Sequence, residues 1–205
     1  MTKGLGLKAI LCVLWLAAVG AGFVTLWTYG STAGRIGRTP EQWPEDATLK
    51  LEEKRDTLML FAHPKCPCTR ASVGELNRLL ARCNGRLAAH VWFFRPGTTS
   101  EEWVKTDLWR SAAGIPGVIA HEDVDGKEAR KFGAETSGYA VLYDAQGRLL
   151  FRGGITGGRG HWGDNAGEDS VAALVTRGET DAKQTPVFGC SLLGNCGEPA
   201  EKAQK

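Results

Sequence analysis

Thr57-Leu58-Met59-Leu60-Phe61-Ala62-His63-Pro64-Lys65-Cys66-Pro67-Cys68-Thr69 is the stretch that decides the fold. Its first six residues are an apolar run of strand length, and its end opens an amphipathic helix. Val73, Leu76, Leu79, Leu80 and Cys83 recur at helical spacing, so the sequence predicts a helix from about Thr69 to Cys83. Two thiols therefore stand at a strand-to-helix junction, where the free N–H groups of the first helical turn point outward. Those groups and the helix dipole stabilise negative charge and favour thiolate over thiol. The thiolate is the species that attacks a disulfide. His63 and Lys65 precede the pair and are expected to lower its pKa further. The other chemistries open to such a pair are a structural disulfide and half of a metal site.

Ala9 to Tyr29 is an uncharged stretch of 21 residues rich in Leu, Val, Ala and Trp. At about 1.5 Å per residue it reaches about 30 Å, the thickness of a bilayer's hydrocarbon core. Lys3 and Lys8 precede it, and Trp27 and Tyr29 stand at its far end as interfacial aromatics do. It is longer than the usual core of a signal peptide, although Ser31-Thr32-Ala33 offers small residues at a cleavage spacing. The expectation is a cytoplasmic N-terminus over 1–8 and a single-pass transmembrane anchor over 9–29. A linker follows over 30–45, rich in Gly, Thr, Pro and Arg, then a domain over 46–197 and a polar tail over 198–205. The domain is expected on the periplasmic or extracytoplasmic side of the cell (inner) membrane. About 160 residues suffice for one domain with its own core. Lys and Arg number 25 against 23 Asp and Glu, with the signs interspersed, so no basic stripe points to nucleic acid.

Within the domain the elements alternate. A short strand near Thr48–Leu51 leads to the Thr57–Ala62 strand and the first helix. Leu87–Phe94 reads as a buried strand. Thr99 and Glu102 form a capping box for a helix carrying Trp103, Val104, Leu108 and Trp109 up to Gly114. Gly117–Ala120 reads as a strand and Gly126–Phe132 as a short helix. Tyr139–Tyr143 and Arg148–Phe151 flank the hairpin signal Asp144-Ala145-Gln146-Gly147, and Glu168–Thr176 is the last helix. Such an order predicts a mixed central sheet with helices on both faces.

This succession of strand, Cys motif, helix, a further βα segment, hairpin and closing helix resembles the thioredoxin-like proteins. Phe132-Gly133-Ala134-Glu135-Thr136-Ser137-Gly138-Tyr139 is similar to the stretch by which thioredoxins enter their hairpin. More narrowly, five stretches resemble the membrane-anchored thioredoxin-like proteins called RedB. They are His63-Pro64-Lys65-Cys66-Pro67-Cys68, Thr136-Ser137-Gly138, Gly153-Gly154-Ile155-Thr156, Arg159-Gly160-His161 and Pro186-Val187-Phe188-Gly189-Cys190. The resemblance covers about Leu58 to Leu192. It implies a three-layer thioredoxin fold and thiol redox chemistry, with no substrate supplied. The chain departs from thioredoxins twice: one residue separates the cysteines instead of two, and Gly138 takes the place of the cis-proline that faces the dithiol. Glycine leaves the backbone open to close approach and offers no side chain to exclude a metal ion.

A disulfide within Cys66-Pro67-Cys68 closes a small ring, which favours its reduction, while Pro67 restricts the backbone between the sulfurs. Cys66, further from the helix, is expected as the nucleophile and Cys68 as the resolving thiol. Cys190 and Cys196 form a second pair, read as a structural disulfide, as a relay in which Cys190 exchanges with the first pair, or with Cys190 as a metal ligand. The metal alternative is a copper-binding module similar to the Sco assembly factors, using Cys66, Cys68, Cys190 and His161 or His63. Sco proteins, however, separate their cysteines by three residues. Cys12 and Cys83 read as apolar packing residues, and His90 and His121 carry no assigned role. The reading that results is a membrane-anchored thiol–disulfide oxidoreductase without cofactor, acting on protein thiols or disulfides.

Overall fold

A computed structural model describes residues 3–194. Cys196 and the 198–205 tail lie outside the described residues. The chain divides into two compact units, 1–32 and 33–205. The first contains one helix, α1 (Lys3–Ser31), of which Gly6–Ser31 is long and apolar enough to cross a membrane. Its Leu, Val, Phe and Trp side chains are exposed, as befits a helix without a protein core of its own.

The second unit is built on β1 (Asp56–Ala62), α2 (Thr69–Cys83), β2 (Leu87–Arg95), α3 (Asp107–Ala113), β3 (Val118–Val124), α4 (Lys127–Lys131), β4 (Tyr139–Tyr143), β5 (Leu149–Gly154) and α5 (Ala166–Arg177). The five strands form one sheet in the order β3-β2-β1-β4-β5. β1 runs parallel to β2 and β2 to β3, whereas β4 is antiparallel to both β1 and β5. That mixed sheet, with the crossover helix α2 after β1 and a hairpin leading to α5, is the thioredoxin-like fold.

β1 is central and apolar from Leu58 to Ala62, where both of its faces are covered. Leu58, Leu60 and Ala62 meet Val73, Leu76 and Leu79 of α2 together with Leu108 and Val171. Met59 and Phe61 point the other way, onto Phe132, Tyr139, Val141 and Val187. The alternation of side chains along a strand thus divides one hydrophobic run between two cores. Cys83 is buried in the first core, and burial pushes its thiol up to about 11, which keeps it protonated and inert.

Three local expectations change. Thr48–Leu51 forms no strand. Both neighbours of β1 are already β2 and β4, and the Thr48 amide and hydroxyl instead donate to the Glu128 carboxylate, the hydroxyl at 2.8 Å. The helix expected from Thr99 to Gly114 divides into a 3₁₀ turn, Glu101–Trp103, and α3. The Thr99 hydroxyl donates to the Pro96 carbonyl at 2.8 Å and so caps nothing, whereas Thr106 accepts from the Trp109 amide and starts α3. The glycine- and arginine-rich segment that reads as a linker is laid on the domain from Ala33 onward. Gly34, Gly37 and Trp43 donate their amides to the carbonyls of Val187, Gly133 and Gly147. Thr39 and Tyr139 share a hydroxyl–hydroxyl hydrogen bond, and Trp43 packs edge-on against Phe132 and Tyr143.

His90 sets an acid limit on this fold. It is 4 % exposed and shares a 2.9 Å hydrogen bond between its Nδ1 and Nε2 of His121. Burial, and then His121, push its pKa down to about 4. As pH falls, the unfolded chain takes up the proton near 6.5, while the folded chain resists until about 4. Stability that is complete above the unfolded value is therefore lost between the two, by about 2 kcal/mol after allowance for solvent screening. Denaturant unfolding at pH 7, 5.5 and 4.5 checks this, and His90→Phe should flatten the fall. An equally steep fall in that variant would assign the effect elsewhere.

Candidate active site

The site forms where β1 ends. The His63 amide donates to Ser137 Oγ at 2.7 Å, which stops the strand, and the chain turns back through Pro64 and Lys65. The Cys66 amide then donates to the His63 carbonyl at 3.0 Å. Cys68 occupies the residue before α2 with helical φ and ψ. Pro67 is exposed between the two thiols. The expected placement of the pair at the helix start is what the backbone shows.

A third sulfur joins them. The Sγ atoms of Cys66, Cys68 and Cys190 all lie within 4.8 Å of one another. Cys190 arrives on the loop after Val187, and several contacts fix that loop. The Ser137 amide donates to the Cys190 carbonyl at 2.9 Å and the Leu192 amide to the Glu135 carbonyl at 2.9 Å. Thr136 and Ser191 form an isolated antiparallel bridge, and the Arg159 guanidinium donates to the Gly189 carbonyl. Gly189 is required there, because a Cβ would stand 1.8 Å from the Ser137 carbonyl oxygen.

Hydrogen bonds decide which sulfur carries the charge. Cys66 Sγ accepts from the Cys190 thiol, the Cys68 thiol, the Thr69 hydroxyl and the Cys190 amide, and together these hold its pKa far below the ordinary thiol range. Cys68 moves the other way: its hydrogen bonds with Cys190 and Cys66, and burial, keep it protonated. Cys66 is therefore the sulfur on which the thiolate is favoured, met by donors that the fold supplies instead of water.

His63 does not supply a positive charge. Its side chain is buried, stacked on Phe94 and edge-on to Trp103, and burial pushes its pKa below the ordinary histidine value. Its Nδ1 accepts the Lys65 amide at 3.2 Å, so it organises the turn. Lys65 Nζ lies 4.3 Å from the centre of the Trp103 ring, a cation–π contact. Nor is Cys66 the outermost thiol: it is 2 % exposed, against 8 % for Cys68 and 9 % for Cys190.

Gly138 has φ +93°, and a Cβ on it would approach Ser72 Oγ at 3.0 Å. Its amide donates to the Phe61 carbonyl at 2.8 Å, which anchors β4 to the end of β1. The contacts to the thiol turn come from its neighbour Ser137, whose Oγ also shares a 2.6 Å hydrogen bond with Thr69 Oγ1. Ser137 and Thr69 are the positioning groups that sequence reasoning missed. Their one signal was position, beside Gly138 and beside Cys68. His161 is exposed in the loop between β5 and α5, and the cluster of metal-competent atoms within 4.8 Å contains the three sulfurs without it.

No protein-family model and no curated protein matches the chain. Among solved structures it is similar to an uncharacterized conserved protein of Geobacillus kaustophilus (18 % identity, TM-score 0.56, covering 79 % of this chain and 92 % of that one). It is likewise similar to a hypothetical protein of Sinorhizobium meliloti 1021 (20 % identity, TM-score 0.55, covering 81 % and 96 %). A more distant likeness is to a secreted disulfide oxidoreductase of Mycobacterium tuberculosis (15 % identity, TM-score 0.44, covering 60 % and 81 %). In the fold described above, Cys66 and Cys68 stand side by side at the start of α2.

Proposed function

We propose that this protein is a membrane-anchored thiol–disulfide oxidoreductase of the RedB-like type, acting on disulfides or dithiols of protein partners outside the cytoplasm. The observation that carries the reading is the placement of Cys66 and Cys68 at the start of α2 with the Cys190 sulfur within 4.8 Å of both, surroundings that lower the Cys66 pKa and favour its thiolate. A thiolate so held attacks one sulfur of a substrate disulfide, forming a mixed disulfide and releasing a substrate thiolate. A second thiol of the chain, Cys68 on sequence grounds, then attacks Cys66 Sγ and releases the other substrate sulfur. The substrate gains two electrons, and two protein thiols become a disulfide. The reverse sequence oxidises a substrate dithiol. Lys3 and Lys8 before the apolar helix support an orientation with the domain across the membrane, where disulfides persist.

Alkylation with iodoacetamide between pH 5 and 9, read by mass mapping, tests the reading. An ordinary thiol of pKa about 8.5 slows about tenfold per pH unit below that value. Cys66 should keep a nearly constant rate across the range. Burial lowers the rate itself but not its pH profile. A tenfold fall per unit below pH 8.5 would show that Cys66 is an ordinary thiol and remove the basis of the proposal.

The three convergent sulfurs favour a second reading, a soft-metal site. Thiolates select Cu(I), and Cys66, Cys68 and Cys190 would hold the ion, with Gly138 offering no side chain to bar its entry. Titration of the reduced chain with Cu(I) against a competing chelator tests it. Tight one-to-one binding, lost in Cys66→Ser, supports the site, and binding no tighter than that of the variant removes it.

A further inference from the structure

We propose that Cys190 is the thiol that resolves the mixed disulfide on Cys66, so that the oxidised chain carries a Cys66–Cys190 disulfide joining the loop after Val187 to the start of α2. This inference rests on the oxidoreductase reading and assigns a further catalytic residue to it.

The Sγ of Cys190 lies within 4.8 Å of Cys66 Sγ. The loop that carries it is pinned on both sides, by Ser137 before the strand β4 and by Glu135 through Leu192. A sulfur delivered on an independent, fixed segment can approach Cys66 without bending the chain between them. Cys68 lacks that freedom. Pro67 has a fixed φ, and the amides of Arg70 and Ala71 already bond to the carbonyls of Pro67 and Cys68 as the first turn of α2. Closing the small Cys66–Cys68 ring pulls against that turn.

With oxidised glutathione as the probe, the Cys66 thiolate attacks one glutathione sulfur, the S–S bond breaks, and glutathione leaves as a thiolate. That thiolate takes the proton of the Cys190 thiol. The Cys190 thiolate attacks Cys66 Sγ, the mixed disulfide breaks, and the second glutathione leaves. One glutathione disulfide is reduced to two glutathione molecules, and two protein thiols are oxidised to one disulfide.

The test uses the full chain in detergent micelles, in a Cys196→Ser background so that the tail offers no competing thiol. The reduced protein is mixed with oxidised glutathione, quenched with acid over time, and its disulfides are mapped by mass spectrometry. In Cys68→Ser and in Cys68→Ala, the glutathione adduct on Cys66 should convert to a Cys66–Cys190 disulfide at a rate within about tenfold of the chain retaining Cys68. In Cys190→Ser, resolution should slow by more than about tenfold. Thermal melting of each variant identifies one that fails to fold, and the chain retaining all three thiols then decides by whether Cys66–Cys190 is its principal disulfide. An adduct that persists in folded Cys68→Ser as long as in Cys68→Ser/Cys190→Ser would overturn the role of Cys190 and leave the oxidoreductase reading intact. No adduct on Cys66 in any folded variant would overturn both.

Discussion

Cys66→Ser is expected to reduce disulfide exchange by at least about 10³-fold, to the background of the buffer, because the serine hydroxyl stays protonated where the thiol does not. The substitution is nearly isosteric, and the four donors that meet Cys66 Sγ find an oxygen acceptor in its place. The fold should therefore survive, and the loss falls on the chemistry. The change should also be felt by Cys68, whose proton is retained partly through its hydrogen bond and its repulsion with Cys66. With that charge gone, Cys68 should alkylate at lower pH than in the unaltered chain. Turnover of an insulin disulfide, with alkylation mapping in parallel, checks both statements. If Cys66→Ser kept more than about a tenth of the activity while Cys68→Ser lost it, the nucleophile would be Cys68.

Gly189→Ala should produce the second largest effect. An added Cβ would stand 1.8 Å from the Ser137 carbonyl oxygen and 2.9 Å from its carbon, both backbone atoms. Nothing at that position can swing away, so the loop must retreat by more than 1 Å. Retreat stretches the bond from the Ser137 amide to the Cys190 carbonyl, 2.9 Å in the intact chain, and withdraws the Cys190 thiol and amide from Cys66. About 1–3 kcal/mol of stability should be lost through overpacking. More tellingly, the pH at which Cys66 alkylation falls to half should rise toward that of a free thiol. Urea unfolding measures the first effect and iodoacetamide rates between pH 5 and 9 the second. An unchanged alkylation profile in the folded variant would show that the low Cys66 pKa owes little to Cys190.

The Gly189 prediction concerns a residue far outside the Cys66–Cys68 segment, which marks the limit of what the sequence alone reveals. Local signals were sufficient for the frame. The short apolar run from Leu58 to Ala62 has the length of a strand, and Val73, Leu76, Leu79 and Cys83 share one helical face. A strand followed at once by a helix leaves the thiols between them at the helix start, whatever the rest of the chain does. The thioredoxin-like order followed from those elements and the hairpin.

Local signals failed where a choice depended on competing partners. Thr99 reads as a helix cap, but its hydroxyl is taken by Pro96, and Thr106 caps instead. Thr48–Leu51 reads as a strand, yet β1 has no free edge for it. The segment from Ala33 to Trp43 has the composition of a tether, but its amides find carbonyls on the domain surface. Composition records what a segment lacks in itself and says nothing of what another segment offers it.

The sequence by itself determined the strand, the helix and the two thiols at their junction, because each depends on residues within about fifteen positions of one another. It also determined the apolar helix of membrane-spanning length, a property of one continuous stretch. Only the tertiary structure decided the charge on the site. His63 and Lys65 are close to the thiols in sequence and basic, but burial lowers the His63 pKa and Lys65 stacks on Trp103. The donors that hold Cys66 as thiolate come from Cys68 and Thr69 beside it and from Cys190, more than a hundred residues away. A thiol's pKa is set by the atoms within hydrogen-bonding reach of its sulfur. For Cys66 the foremost of those atoms belong to a loop that the folding of β4 and β5 brings back to the start of α2.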